Sequence, residues 1–125
     1  MPNDLQEELR KAAEKIPGCS YVSLVGYDGI TVAQHIIDAN IDAGLHDAEI
    51  SSIVLASRDV KQSLNLGMER ELIWLTDNAF YILYPVGEDF FIYACLKPAG
   101  SSPGVARIEL NKAKEIIRKI VYPAN

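Results

Sequence analysis

Three stretches of this chain carry apolar residues in unbroken runs instead of in alternation: Leu72 to Leu75, Phe80 to Tyr84 and Phe90 to Leu96. Successive side chains of a strand point to opposite faces, so an antiparallel sheet covered on one face alternates apolar with polar residues. Unbroken runs bounded by turn residues therefore predict strands buried on both faces. Such a sheet needs a layer of helices on each side. The chain has three amphipathic helical segments to supply them, which predicts a three-layer α/β/α sandwich.

The first helix is predicted over residues 4 to 16, where Leu5, Leu9, Ala12, Ala13 and Ile16 form one stripe, with Asn3 or Asp4 as cap and Pro17-Gly18 as stop. Two β-branched and aromatic runs follow, Ser20 to Gly26 and Ile30 to Ile36. The Tyr27-Asp28-Gly29 turn joins them into a hairpin, its glycine supplying the positive φ of a tight turn. A polar stretch from Asp38 to His46 leads to Asp47, read as the N-cap of a helix from about Ala48 to Leu66 that ends at Gly67. Its apolar stripe is Ile50, Ile53, Val54, Val60 and Leu64; a second line of small or short residues runs through Ser52, Ala56, Asp59 and Ser63. Strands at 71 to 76, 79 to 85 and 89 to 96 form a meander. Ser102 before Pro103 then caps a last helix to Val121, its inner face read as Val105, Ile108, Ala113, Ile116, Ile117, Ile120 and Val121. The order is αββαβββα without an internal repeat, and residues 1 to 125 are expected to make one domain.

Charge and composition narrow the function class. The chain has 17 acidic and 12 basic residues, a formal charge of −5, and this leaves no cationic excess to replace the counterions of nucleic acid or an anionic membrane. The basic group Lys112, Lys114, Arg118 and Lys119 is diluted by Glu109 and Glu115 and reads as a solvated helix face. The acidic N-terminus is unlike a signal peptide, and the longest apolar run, Ala79 to Val86, is too short to span a bilayer. A cytoplasmic protein without membrane insertion is expected, with Cys19 and Cys95 as buried thiols.

No constellation for catalysis stands out. His35 and His46 have no metal-ligand spacing; His35 reads as a packed strand residue beside Thr31 and Ala33, and His46 as a loop residue. The glycines form no phosphate-binding loop, and the carboxylate pairs Glu7-Glu8 and Glu69/Glu71 read as solubilising charges. Neither enzyme activity nor a cofactor is expected. The feature that needs explaining is the strand around Trp74. At a sheet edge, its apolar faces and unpaired backbone would be an aggregation hazard, because proline and lysine are absent from it. Pairing with a second copy would resolve this, and it selects Ser52, Leu55, Ala56, Asp59 and Ser63 of the second helix, with Leu72 and Trp74, as the candidate dimer interface.

The sequence resembles the Roadblock family of dynein light chains and its bacterial and archaeal relatives. The resemblance lies in Ile16-Pro17-Gly18-Cys19, the hairpin from Tyr21 to Ala33 with its Asp28-Gly29 turn, and the long second helix. It continues in Leu83-Tyr84-Pro85-Val86-Gly87 with Phe90 to Tyr93, and in Gly104-Val105-Ala106-Arg107. It implies a profilin-like five-stranded, mainly antiparallel sheet of order 2-1-5-4-3, with the second helix on one face and the terminal helices on the other. It also implies dimers joined through the third strand and second helix, serving as non-catalytic scaffolds or regulators of small Ras-like GTPases. Some bacterial homodimers of this kind act as GTPase-activating proteins. The Asp38 to His46 stretch and the C-terminus are longer than in the minimal module. The competing reading is a ligand sensor of PAS or GAF type, with Tyr21, Tyr81, Tyr93 and Ser23 as the polar groups of its pocket.

Overall fold

The computed structural model describes residues 2–124, with side chains from Asp4 onward. Along the chain run α1 (Pro2–Lys15), β1 (Cys19–Gly26), β2 (Thr31–Ile36), α2 (Ala43–Leu64), β3 (Leu72–Leu75), β4 (Phe80–Val86), β5 (Phe90–Leu96) and α3 (Pro103–Val121). The five strands form one sheet in the order β2-β1-β5-β4-β3, every neighbouring pair antiparallel. Helices α1 and α3 cover one face and α2 the other, giving the three layers that the strand pattern predicts in the arrangement that the Roadblock resemblance implies.

Alternation along the strands divides the core in two. Val22, Leu24, Ile82, Tyr84, Ile92 and Ala94 face α1 and α3, while Tyr21, Val25, Leu83, Phe91, Tyr93 and Cys95 face α2. The two free thiols thus lie on opposite faces; both are buried, and burial pushes Cys19 up to about 12. The apolar stripe of α1 is buried as the spacing predicts. Asp4 lies inside its first turn, where a carboxylate favours the N-terminal end of the dipole, rather than capping it; the side chain of Asn3 is outside the described residues. Gly18 (φ +74°) closes the turn after α1, and any Cβ there would meet the Ser101 backbone at 2.8 Å. Gly29 (φ +87°) takes the positive-φ place of the β1–β2 turn. No helix among the described residues is long and apolar enough to cross a membrane.

The structure corrects several expectations. Helix α2 starts at Ala43, not Ala48: its cap is Asp42, whose side chain accepts from the Leu45 amide, so Asp47 and His46 lie inside the helix. The loop after β2 is correspondingly short. At its other end Asn65 (φ 54°) forms the left-handed cap, two residues before Gly67. Helix α3 buries Ala106, Leu110, Ala113 and Ile117, whereas Ile108 and Ile116 are exposed; the run of isoleucines draws the sequence reading off the helix's true inner face. A register shift at Leu24/Val25 separates Thr31 from His35 and Ala33, and Thr31 turns toward α2. Finally, burial on both faces holds for β1, β5 and most of β4 but stops short of β3, where Ile73, Trp74 and Leu75 are exposed.

The revised face of α3 is testable by equilibrium urea unfolding. Leu110→Ala should cost about 2–5 kcal/mol as a buried truncation, and Ile108→Ala should stay within about 0.5 kcal/mol as a surface change.

Candidate protein-interaction site

The site is built by what α2 leaves uncovered. Its N-terminal half lies over β1 and β2 and buries Ala43, Asp47, Ile50, Ser51 and Val54. Ile53, Val60 and Leu64, expected in the core stripe, project instead from the flank facing β4 and β3 and are exposed. After the helix, Leu66 and Met68 are exposed as well, Met68 beside Arg58, Lys61 and Pro85 and 82% exposed. On β3, Leu72 and Trp74 share the α2 face through their partners Leu83 and Tyr81, and Ile73 and Leu75 share the α3 face opposite Ile82 and Phe80. Trp74 is 48% exposed, with its ring tilted 30° over Tyr81 at 5.6 Å.

Between α2 and the β3–β4 hairpin runs a groove of about 900 Å³, lined by Leu45, Ile53, Ala56, Trp74, Ala79 and Tyr81 among others. Ser52 lines it too. Of the seven residues selected from sequence, Ser52, Ala56 and Trp74 thus share one groove. Leu72 is half-buried beneath its wall. Asp59, Ser63 and Leu55 are exposed on α2 outside the groove, Leu55 on the flank away from Ile53.

A buried polar chain holds α2 in this position. Asp47, fully buried, accepts from Tyr93 Oη at 2.5 Å on one carboxyl oxygen, and from Thr31 Oγ1 at 2.5 Å and Gln34 Nε2 at 3.2 Å on the other. Tyr93 Oη lies 2.8 Å from Tyr21 Oη, which lies 3.1 Å from His46 Nδ1; Tyr81 Oη is 3.3 Å from the same nitrogen. Proton counting orders the chain. Tyr93 has one hydroxyl hydrogen and gives it to Asp47, so Tyr21 donates to Tyr93, and His46 Nδ1–H donates to Tyr21. Burial holds the Tyr21 and Tyr93 phenols far above their usual range and pushes Tyr81 up to about 12. The Tyr21 and Tyr93 hydroxyls are therefore spent inside the fold. Ser23, also named as a pocket group, is buried without reaching the groove; its Oγ has no hydrogen-bond partner among the described residues. His35 is half-buried on the α1 side. No trio of His, Cys, Asp or Glu suited to a metal occurs among the described residues.

At the entrance to β3, Glu71 accepts from Tyr84 Oη at 2.5 Å and from Arg107 Nε and Nη2 at 2.7 and 3.2 Å. The Tyr84 hydrogen bond, then the guanidinium, hold Glu71 below the usual carboxylate range; burial and this carboxylate push Tyr84 up to about 12. The start of the edge strand is thereby tied to α3. The sequence hid both polar clusters, since Asp47 and Glu71 each looked like an ordinary cap or flank. One signal for the interaction face was the width of the α2 stripe, because Ile53, Val60 and Leu64 lie well to one side of Ile50 and Val54.

No family model and no curated protein matches the sequence. Solved structures do match its fold. The gliding protein MglB from Thermus thermophilus superposes with a TM-score of 0.85 at 14% identity, over 98% of this chain and 93% of that one. Myxococcus xanthus MglB gives 0.80 at 18% identity, over 96% and 86%. A Roadblock/LC7 domain from Streptomyces avermitilis gives 0.82 at 14% identity, over 93% and 96%. At such identities the likeness is one of architecture: the chain has the Roadblock/LC7 fold.

Both polar clusters can be tested. Asp47→Ala leaves buried donors without an acceptor and should destabilise by about 3 kcal/mol or more, against about 1 kcal/mol for the cap change Asp42→Ala, both read by urea unfolding. Because Glu71 is lowered in the folded state, its stabilisation is complete above the ordinary glutamate value of ~4.3 and lost as pH falls through its lower folded value. The melting-temperature gap between wild type and Arg107→Ala should accordingly be full at neutral pH and shrink below about pH 4.

Proposed function

We propose that two copies of this chain associate through β3 and α2, and that the dimer is a non-catalytic, cytoplasmic scaffold or regulator of a small Ras-like GTPase. The carrying observation is exposed apolar surface on both sides of the free edge: Ile53, Val60 and Leu64 on α2 with Trp74 on the α2 face of β3, and Ile73 and Leu75 on its α3 face, all at least 40% exposed. Large exposed apolar side chains clustered along one edge are what the core of a stable interface, ~800 Å² per partner, is built from. A lone chain with such a patch beside an unprotected edge strand would be prone to aggregate. Ser52, Leu55, Ala56, Asp59, Ser63, Leu72 and Trp74 remain the proposed contacts, with Ile53 and Val60 added. The GTPase half of the proposal draws on the Roadblock/LC7 fold and on what the sequence resemblance implies.

The groove has the size of a small-molecule pocket, yet the Tyr21 and Tyr93 hydroxyls are spent inside the fold and Ser23 does not reach it, which supports a protein partner over a sensed metabolite.

Light scattering at micromolar concentration should report a dimer, and Trp74→Glu a monomer with an unchanged far-ultraviolet spectrum, since the ring is half-exposed. Wild-type protein should bind a Ras-like GTPase encoded near its gene, or change its rate of GTP hydrolysis. A monomeric wild type that neither binds nor alters any such GTPase would sink the reading.

A further inference from the structure

The dimer proposed above leaves open how the two edge strands meet, and the backbone of β3 narrows that to one register. The Thr76 amide donates to the Ala79 carbonyl, closing the β3–β4 hairpin at 2.9 Å. Hydrogen-bonded and non-bonded positions alternate along an antiparallel pair, so Thr76, Trp74 and Leu72 aim their main-chain groups at β4. Ile73 and Leu75 aim theirs at the free edge.

The sheet's other edge, β2, is not equivalent. There the Ile37 amide donates to Ser20, which turns Gln34 outward by the same alternation, and Gln6 of α1 donates its side-chain amide to the Gln34 carbonyl. Helix α1 thus occupies part of the β2 edge. At β3 no hydrogen bond covers the outward groups of Ile73 or Leu75 among the described residues.

A symmetric antiparallel pair must place outward residues opposite outward residues, which leaves three central registers. With Ile73 opposite Ile73, Leu75 faces Glu71 of the second copy. With Leu75 opposite Leu75, Ile73 falls opposite Asp77, past the turn at Thr76, and is left without a partner. The first register sets Glu71, already bound to Tyr84 and Arg107, against Leu75 on the α3 face, and the second pairs only one outward residue of each copy. The third register sets Ile73 opposite Leu75 and Leu75 opposite Ile73. It confines the pairing to residues in strand conformation and matches apolar to apolar along the α3 face. Asp77 leaves the seam because the chain turns at Thr76.

We propose that the second copy docks on β3 in this register, so that the two-fold axis passes between the two Trp74 residues, which form a non-hydrogen-bonded pair on the α2 face. This rests on the dimer of the preceding subsection and adds the seam that builds it. Trp74 is then the residue at the axis, and each Ile73 contacts Leu75 of the second copy.

A cysteine scan tests it. Cα atoms of a non-hydrogen-bonded pair lie ~4.5 Å apart, within disulfide reach, and the native thiols are buried. Under mild oxidation with oxidised glutathione, Trp74→Cys should cross-link to a covalent dimer several-fold faster than Ile73→Cys or Leu75→Cys alone. An equal mixture of the latter two should cross-link faster than either by itself, a readout that keeps Trp74 intact. Fastest cross-linking by Ile73→Cys alone, or by Leu75→Cys alone, in a protein that still scatters as a dimer would overturn the register and leave the dimer standing. A wild-type monomer under the same conditions would remove the dimer itself. In hydrogen exchange, the Ile73 and Leu75 amides should be protected in the wild-type dimer and lose that protection on dilution to monomer; exchange at the unprotected rate in the dimer would also overturn the register.

Discussion

Asp47 sets where α2 lies, and most of what distinguishes the surface of this protein follows from that placement. A carboxyl group sealed from water must have its hydrogen bonds completed, and the donors that complete them come from β2 through Thr31 and Gln34 and from β5 through Tyr93. The helix is therefore held over the β2-β1-β5 side of the sheet. With one helix available for that face, the β4-β3 side stays open. The two terminal helices leave the same strand bare on the other face, where Ile73 and Leu75 are exposed.

The outcome is a sheet whose two edges are treated differently. Edge β2 is covered in part by α1 and has polar Thr31, Gln34 and His35 along it. Edge β3 has consecutive large apolar residues and bare main-chain groups on its outer side, and is tied to α3 at its entrance, where Glu71 binds Tyr84 and Arg107. The proposed dimer uses this edge as its joint, which removes the aggregation hazard that a bare apolar edge otherwise carries. The polar chain from His46 through Tyr21 and Tyr93 to Asp47 lies under the same region, so the groove wall rests on a connected run of hydrogen bonds.

The architecture was largely legible in the chain because it rests on local patterns. Unbroken apolar runs announced a sheet buried from both sides, the Asp28-Gly29 turn announced the hairpin, and Ser102-Pro103 announced the start of the last helix. The α1 stripe emerged residue for residue. Errors arose where one residue type serves two purposes: an aspartate before an apolar run looks like a cap whether it is Asp42, exposed and capping, or Asp47, buried and bridging. Likewise Ile53, Val60 and Leu64 satisfy helical periodicity whether they face a core or an open groove, and Ile108 and Ile116 drew attention from the smaller Ala106.

By itself, then, the sequence determined the number, order and kind of elements and the need for helices on both faces, since these depend on periodicity and turn chemistry within short windows. It also singled out the strand at Trp74 as the awkward one. Only the tertiary structure decided which apolar residues are spent in the core and which remain for contact, because that depends on how far one helix reaches across five strands. That reach is set by hydrogen bonds among Asp47, Thr31, Gln34 and Tyr93, residues far apart along the chain, whose meeting no local pattern records.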